Sequence, residues 1–309
     1  MSLISTPTPP RAPALSTMWM QLRHSNLHEF VTAAGTVGFR QVELSHVVTG
    51  EMLAGFSPVP GLVRTLHHPC PNDDSVPELS SPDEAERARA VLAALRTLEW
   101  ATRLEAEAVV LHLGVVASLD RRWENGLRSR WLAGLGGTPA CATLAQTIRQ
   151  MRAAQVEPFL TAAHRSLAEL VPHAERLALR LGLENGEWVT SIPSLDELDH
   201  ILADFPAPTV GAWLDTGHAT ILERLGGTPL TSWAERIGPR LLGLHYHDVA
   251  RLRDHLIPGL GSIDFAALAP HVPPVTLPTC EVDWYFTPVE LADGAAHLAR
   301  AGLIAWPPV

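Results

Sequence analysis

Apolar residues along this chain come in short runs separated by longer amphipathic stretches. The runs are STMWMQL (16–22), FRQVELS (39–45), LVRTLHH (62–68), AEAVVLHLG (106–114), LRLGLEN (179–185), TVGAWLDTG (209–217), RLLGLHYHD (240–248) and VTLPTCEVD (275–283). Each has the length of a buried strand, and the segments between them are rich in Ala and Leu at helical spacing. SPDEAERARAVLAALRTLEWATRL (81–104) shows the type, since its Ser-Pro-Asp-Glu opening is a helix start. Eight strand-and-helix units in 309 residues predict one closed (β/α)₈ TIM barrel over residues 15–309. A doubly wound open sheet is the alternative, but no GxGxxG follows the first run, so its dinucleotide-binding form has no support. Residues 1–14, with Pro7, Pro9, Pro10 and Pro13, read as a disordered tail.

The apolar runs end in polar groups. His67 and His68 close the third, His112 the fourth and Glu184 the fifth. Asp215 and His218 close the sixth, His245, His247 and Asp248 the seventh, and Glu281 and Asp283 the eighth. In a barrel of this kind the C-terminal strand ends open onto the active-site face, so these residues are expected at one mouth. Carboxylates and imidazoles crowded together repel or desolvate one another unless a positive charge sits between them. A divalent cation meets that need. Mixed oxygen and nitrogen donors without cysteine suit Mn²⁺, Mg²⁺, Co²⁺ or Zn²⁺, and argue against a closed structural zinc site. His24, His28, His164, His173, His200, His271 and His297 fall in helical patterns or loops away from the strand ends and are read as packing or surface groups.

Composition narrows the partners. With 33 acidic against 23 basic residues the formal net charge is −10, which disfavours a surface built for a polyanion. The stretch DRRWENGLRSRWLAGLGG (120–137) is the exception: its Arg121, Arg122, Arg128 and Arg130 interleave with Trp123 and Trp131. It reads either as a nucleic-acid patch or, preferred here, as a loop and amphipathic helix with a solvated arginine face that could also cover a small substrate. Cys70, Cys141 and Cys280 form no CxxC pair, so free thiols in a reducing, cytoplasmic setting are expected. No window has the length and hydropathy of a membrane span, and no export signal is recognisable.

The strand-end motifs HHP (67–69), HLG (112–114), LEN (183–185), DTGH (215–218), LHYHD (244–248), HLIPGLGSIDF (255–265) and CEVDW (280–284) resemble those of the xylose-isomerase-like barrels. That superfamily joins sugar isomerases and epimerases to endonuclease IV. The resemblance implies that Glu184, Asp215, His245 and Glu281 hold a common metal. In the epimerase branch, residues matching Glu184 and Glu281 also move substrate protons on opposite faces of one carbon, with His218 as a substrate contact or a support for the ligands. In the endonuclease IV branch, His67 and His112 match ligands of a second ion, and His218 with His255 match part of a third. That branch has an Asp where this chain has Arg253, with Asp254 beside it.

These readings predict a metal-dependent isomerase or epimerase of a sugar, sugar acid or sugar phosphate, with Glu184 and Glu281 as the acid/base pair, a small carbohydrate-like molecule favoured over nucleic acid as partner, and no membrane. Mn²⁺ or Zn²⁺ is the expected ion. His67 and His112 are candidates for a second one, and His218, His247 and His255 are candidate substrate or supporting contacts. A phosphodiesterase of the endonuclease IV type, with two or three zinc ions, is the alternative. Because side chains alternate along a strand, His245 and His247 can both face inward, whereas only one of His67 and His68 can, and the resemblance selects His67.

Overall fold

The structure, a computed structural model, describes residues 8–72 and 75–307. Eight parallel strands close into a barrel: β1 (Ala14–Ser16), β2 (Gln41–Leu44), β3 (Val63–His67), β4 (Ala108–Leu111), β5 (Arg180–Glu184), β6 (Val210–Asp215), β7 (Leu241–Tyr246) and β8 (Leu277–Cys280), with β1 paired to both β2 and β8. β2 to β8 lie inside the apolar runs. β1 is displaced: the run at 16–22 predicts a strand where the chain forms a 3₁₀ turn, Thr17–Met20, and the strand itself occupies 14–16. Trp19 and Met20 are buried by that turn as fully as a strand would bury them, so the apolar signal does not distinguish the two. Residues 1–7 of the expected tail lie outside the described residues. Arg11 pairs with Glu107 at 2.5 Å and Ala14 already belongs to β1, so the last part of that segment is bound to the barrel floor.

Helices begin where capping residues announce them. Asp83 accepts the N–H of Glu86 to open the helix Glu84–Arg103, and Ser194 and Glu197 form a reciprocal capping box at Leu195–Asp204. The helices pack on the outward strand residues, forming the large core that includes Leu44, Leu66, Val109, Leu183 and Leu244. Inside the barrel a second, small cluster of Ala108, Val110, Trp213, Leu242 and Leu277 forms the floor. Trp213 needs its neighbours to be glycines. A Cβ on Gly182 would come within 2.8 Å of its ring and one on Gly243 within 2.2 Å.

Period-two alternation carries the inward face upward from that floor, from Val110 to His112, from Trp213 to Asp215, and from Leu277 through Thr279 to Glu281. Two antiparallel pairs outside the barrel shape its mouth. Gly114–Val115 pairs with Ser191–Ile192, and Asp248–Ala250 forms a hairpin with Arg253–Leu256 that brings His255 back over β7.

Candidate metal centre and its cavity

Asp215 is both the end of β6 and the start of a helix. Its Oδ1 accepts the N–H of His218 at 2.7 Å, capping Thr216–Arg224, so the DTGH turn is a strand-to-helix junction that aims its carboxylate inward. Asn185 fixes β5 beside it, accepting the Asp215 N–H at 2.8 Å and donating to the Asp215 carbonyl at 3.2 Å.

Donor atoms of Glu184, Asp215, His245 and Glu281 all lie within 4.8 Å of one another, and the same holds for His67, His112 and Glu184. All of these residues but the half-buried His112 are nearly sealed from solvent, and among the described residues every ion-pair partner of Glu184, Asp215 and Glu281 is a histidine. The chain contains no lysine, which also removes Schiff-base chemistry from consideration.

Burial opposes ionisation of Glu184, yet His112, His245 and His67 outweigh it and hold the carboxyl well below its usual range. Asp215, equally buried, is held at about 2 by His218 and His247. The imidazoles respond in kind. Burial disfavours charge on His67, but Glu184 raises it to about 9, and His245 is raised well above its ordinary value by Glu281, Glu43 and Glu184 against the same penalty. Burial dominates at His112 and pushes it down to about 4.

The hydrogen bonds show that this donor set fits a cation. His67 Nδ1 lies 2.9 Å from the carbonyl oxygen of His68, which can only accept, so Nδ1 carries a proton and a neutral ring turns its Nε2 lone pair toward Glu184 Oε2, 2.9 Å away. His245 faces Glu184 at 2.8 Å through Nδ1 and Glu43 at 3.0 Å through Nε2. Acceptors facing acceptors are relieved only by an added proton or by a metal ion between them. Glu184, Asp215, Glu281 and the Nδ1 of His245 could hold one ion, and His67 and His112 with Glu184 a second.

The other candidates are placed differently. His68 turns away from the cluster to Thr97 on the helix Glu84–Arg103, at 3.0 Å. His218, His247 and His255 also approach one another within 4.8 Å, but both ring nitrogens of His247 are engaged. Asp254 and Glu281 hold the His255 imidazole up at about 10 against burial. Arg253, in the position of the expected acid, lies over Tyr285 and 3.9 Å from Asp283. Asp283 therefore does not join the metal cluster. Neither does Asp248, whose carboxylate accepts the main-chain N–H groups of Val249, Gly259, Gly261 and Ile263.

Glu43 and His46, absent from the sequence-based set, belong to the site. Glu43 is fully buried beneath His245, and His46 lines the adjoining cavity. That cavity, about 460 Å³, opens from His112 and His218 and is bounded by His46, Asn72, Glu78 and Trp188, with no arginine among the described residues of its wall.

The segment 120–137 braces this wall. Glu124, buried in the helix Arg122–Arg130, accepts the N–H of Val189 at 2.8 Å and of Thr190 at 3.3 Å. Arg121 and Arg128 stack on Trp188, Arg128 also donates to the Glu187 carbonyl, and Arg122 pairs with Asp120.

A closed parallel barrel with a carboxylate-histidine cluster at its C-terminal mouth defines the class of protein. The chain belongs to the xylose isomerase-like TIM barrel family, whose model matches residues 34–273. No curated protein matches it by sequence. Among solved structures it is similar to a D-tagatose 3-epimerase-like protein, with TM-score 0.62 and 17% identity over 94% of this chain and 96% of that one. It is also similar to D-psicose 3-epimerase with D-tagatose from Clostridium cellulolyticum H10, with TM-score 0.66 and 14% identity over 95% and 100%. IOLI protein with a zinc atom superposes with TM-score 0.64 and 14% identity over 94% and 98%. At these identities the likeness is one of fold. No helix among the described residues is long and apolar enough to cross a membrane.

Proposed function

We propose that the chain is a divalent-metal-dependent isomerase or epimerase of a small polyhydroxylated carbonyl compound. The observation that carries this reading is the convergence of buried Glu184, Asp215 and Glu281 on His245, the three carboxylates having only histidines as ionic partners among the described residues. A divalent ion there lowers the cost of negative charge on a substrate carbonyl oxygen. Glu184 and Glu281 then exchange protons with the adjacent carbon. Asp215 and His245 hold the geometry, and His218 and His255 at the mouth contact the substrate. Manganese or zinc suits the mixed donors.

The cavity supports an uncharged sugar over a sugar acid or phosphate. Glu78 and Glu187 line it without an arginine, and burial raises the Glu78 carboxyl because Arg121 compensates only in part. An anionic substrate would meet carboxylates where it needs donors.

One observation favours a second reading, a phosphodiesterase of the endonuclease IV type: His67, His112 and Glu184 can hold a second ion. Against it, His247 has no free nitrogen for a third ion, and the arginines at 121, 122 and 128 are occupied within the protein. The test loads the protein with Mn²⁺ or Zn²⁺. It then measures deuterium wash-in next to the carbonyl across a panel of free ketoses and aldoses, beside cleavage of an abasic-site duplex. Exchange that disappears in Glu184→Gln and Glu281→Gln is expected. Duplex cleavage lost in Glu184→Gln, with no exchange into any sugar, would reverse the ranking.

A further inference from the structure

We propose that Glu43 is a positioning residue that sets which nitrogen of His245 faces the metal. The inference rests on the metal-site reading above and goes beyond it to a residue outside the ligand set. His245 Nδ1 is the nitrogen on the ligand side, 2.8 Å from Glu184, 3.1 Å from Glu281 and 3.7 Å from Asp215. Nε2 points the other way, at 3.0 and 3.2 Å from the two oxygens of Glu43.

An ionised carboxylate can only accept, so it keeps the proton of a neutral imidazole on Nε2 and leaves the Nδ1 lone pair for a cation. Glu43 is itself fixed. Its Oε2 accepts the Thr65 hydroxyl at 2.7 Å, and its place on β2 beneath the site gives it no exposure to solvent. The ring has little freedom to answer otherwise, because Trp213 abuts it edge-on at 5.2 Å and His67 stacks on it at 5.5 Å. Four of the inward residues thus form a chain from the floor to the ligand, Thr65 to Glu43 to His245 to Glu184. Glu43 meets His245 on Nε2, the nitrogen turned away from the other three candidate ligands. Its action is through His245 alone.

The experiment titrates Mn²⁺, Co²⁺ and Zn²⁺ into the metal-stripped full chain against a chromophoric chelator, for wild type, Glu43→Ala and Glu43→Gln. Outer partners of ligating histidines are typically worth about 10- to 100-fold in metal affinity. Glu43→Ala should lose that much, and Glu43→Gln, whose amide oxygen still accepts from Nε2, should lose less than about 10-fold. The visible spectrum of the Co²⁺ form should change in Glu43→Ala and be restored in Glu43→Gln. If Glu43→Ala does not fold, Thr65→Val removes the anchoring hydroxyl and should give a smaller loss in the same direction. Long-range ¹⁵N–¹H spectra of the metal-free protein, recorded at a pH high enough to leave His245 neutral, assign its tautomer separately. If wild type binds no metal the functional reading fails, and a proton on Nε2 that is lost in Glu43→Ala still upholds the positioning role. Wild-type affinity and spectrum in both Glu43 variants, or an Nδ1 proton on neutral His245, overturn it.

Discussion

The main-chain N–H of His255 donates to Nδ1 of His247 at 2.9 Å. A nitrogen that accepts cannot carry the proton of a neutral ring, so that proton sits on Nε2 and is donated to Asp215 Oδ2 at 2.8 Å. His247 therefore steers the carboxylate of Asp215 and has no lone pair left for a cation, although it lies within reach of His218 and His255. Elemental analysis after dialysis should show His245→Ala stripped of metal. His247→Ala should retain it with affinity reduced by about 10-fold, the lower end for a group supporting a ligand. Wild type should take no third ion. Three ions per chain, or loss of all metal in His247→Ala, would contradict this assignment.

Trp213 and Gly243 are matched in the barrel floor. A methyl group on Gly243 would lie 2.2 Å from the indole, far inside contact distance, and the ring cannot retreat because Gly182 borders its other side. Gly243→Ala should lower the urea midpoint by the equivalent of at least about 3 kcal/mol, the upper range for overpacking a core. Trp213→Phe in the same background should recover part of that loss. An unchanged midpoint in Gly243→Ala would mean that the floor yields more readily than its packing implies.

How much of this site was legible in the sequence follows from which strands mix signals. Asp215 stands out because it terminates a run, VGAWL, that is apolar on both faces. Glu43 does not, because QVEL alternates and reads as a strand with one wet face. In the barrel that polar face points inward: Val42 and Leu44 pack against helices while Glu43 sits under His245. Alternation reports the two faces of a strand without saying which one is solvent. The stretch 120–137 forms the expected helix with Arg121, Arg122 and Arg130 exposed, but its bracing contacts were not legible for a related reason. Its arginines are countable, but that Glu124 is buried and that Trp188, 60 or so residues on, receives two of them is set by tertiary packing.

That packing makes Glu124 a brace for the cavity wall. Its carboxylate is the acceptor for the N–H groups of Val189 and Thr190, and Trp188 and Ser191 next to them line the cavity. Stranding buried donors costs about 1–3 kcal/mol each. Glu124→Ala should lower thermal stability and raise KM for any substrate found in the exchange panel by more than it lowers kcat, and Glu124→Gln, which keeps one acceptor, should show a smaller version of both changes. Equal loss of kcat with KM unchanged would place the effect on the reacting centre and reject a brace.

His68 provides a pH test that is separable from the metal. Burial against the helix Glu84–Arg103 disfavours its charged form, with His67 and His112 adding repulsion, and its imidazole is pushed down to about 3. In the unfolded chain the same ring takes a proton near 6.5. Between those values the unfolded state binds more protons than the folded one, so this contribution to stability is complete above pH 6.5 or so and is lost as the pH falls toward 3. At pH 5 the loss is about 2 kcal/mol. His112, pushed down to about 4, acts in the same direction, so replacing His68 removes only part of the acid sensitivity. His68→Asn keeps an acceptor for Thr97 and does not titrate. In EDTA-treated protein, the difference in urea stability between pH 7 and pH 5 should be smaller for His68→Asn than for wild type by about that amount. An identical pH dependence in the two proteins would mean that His68 reaches solvent and titrates as freely in the fold as in the unfolded chain.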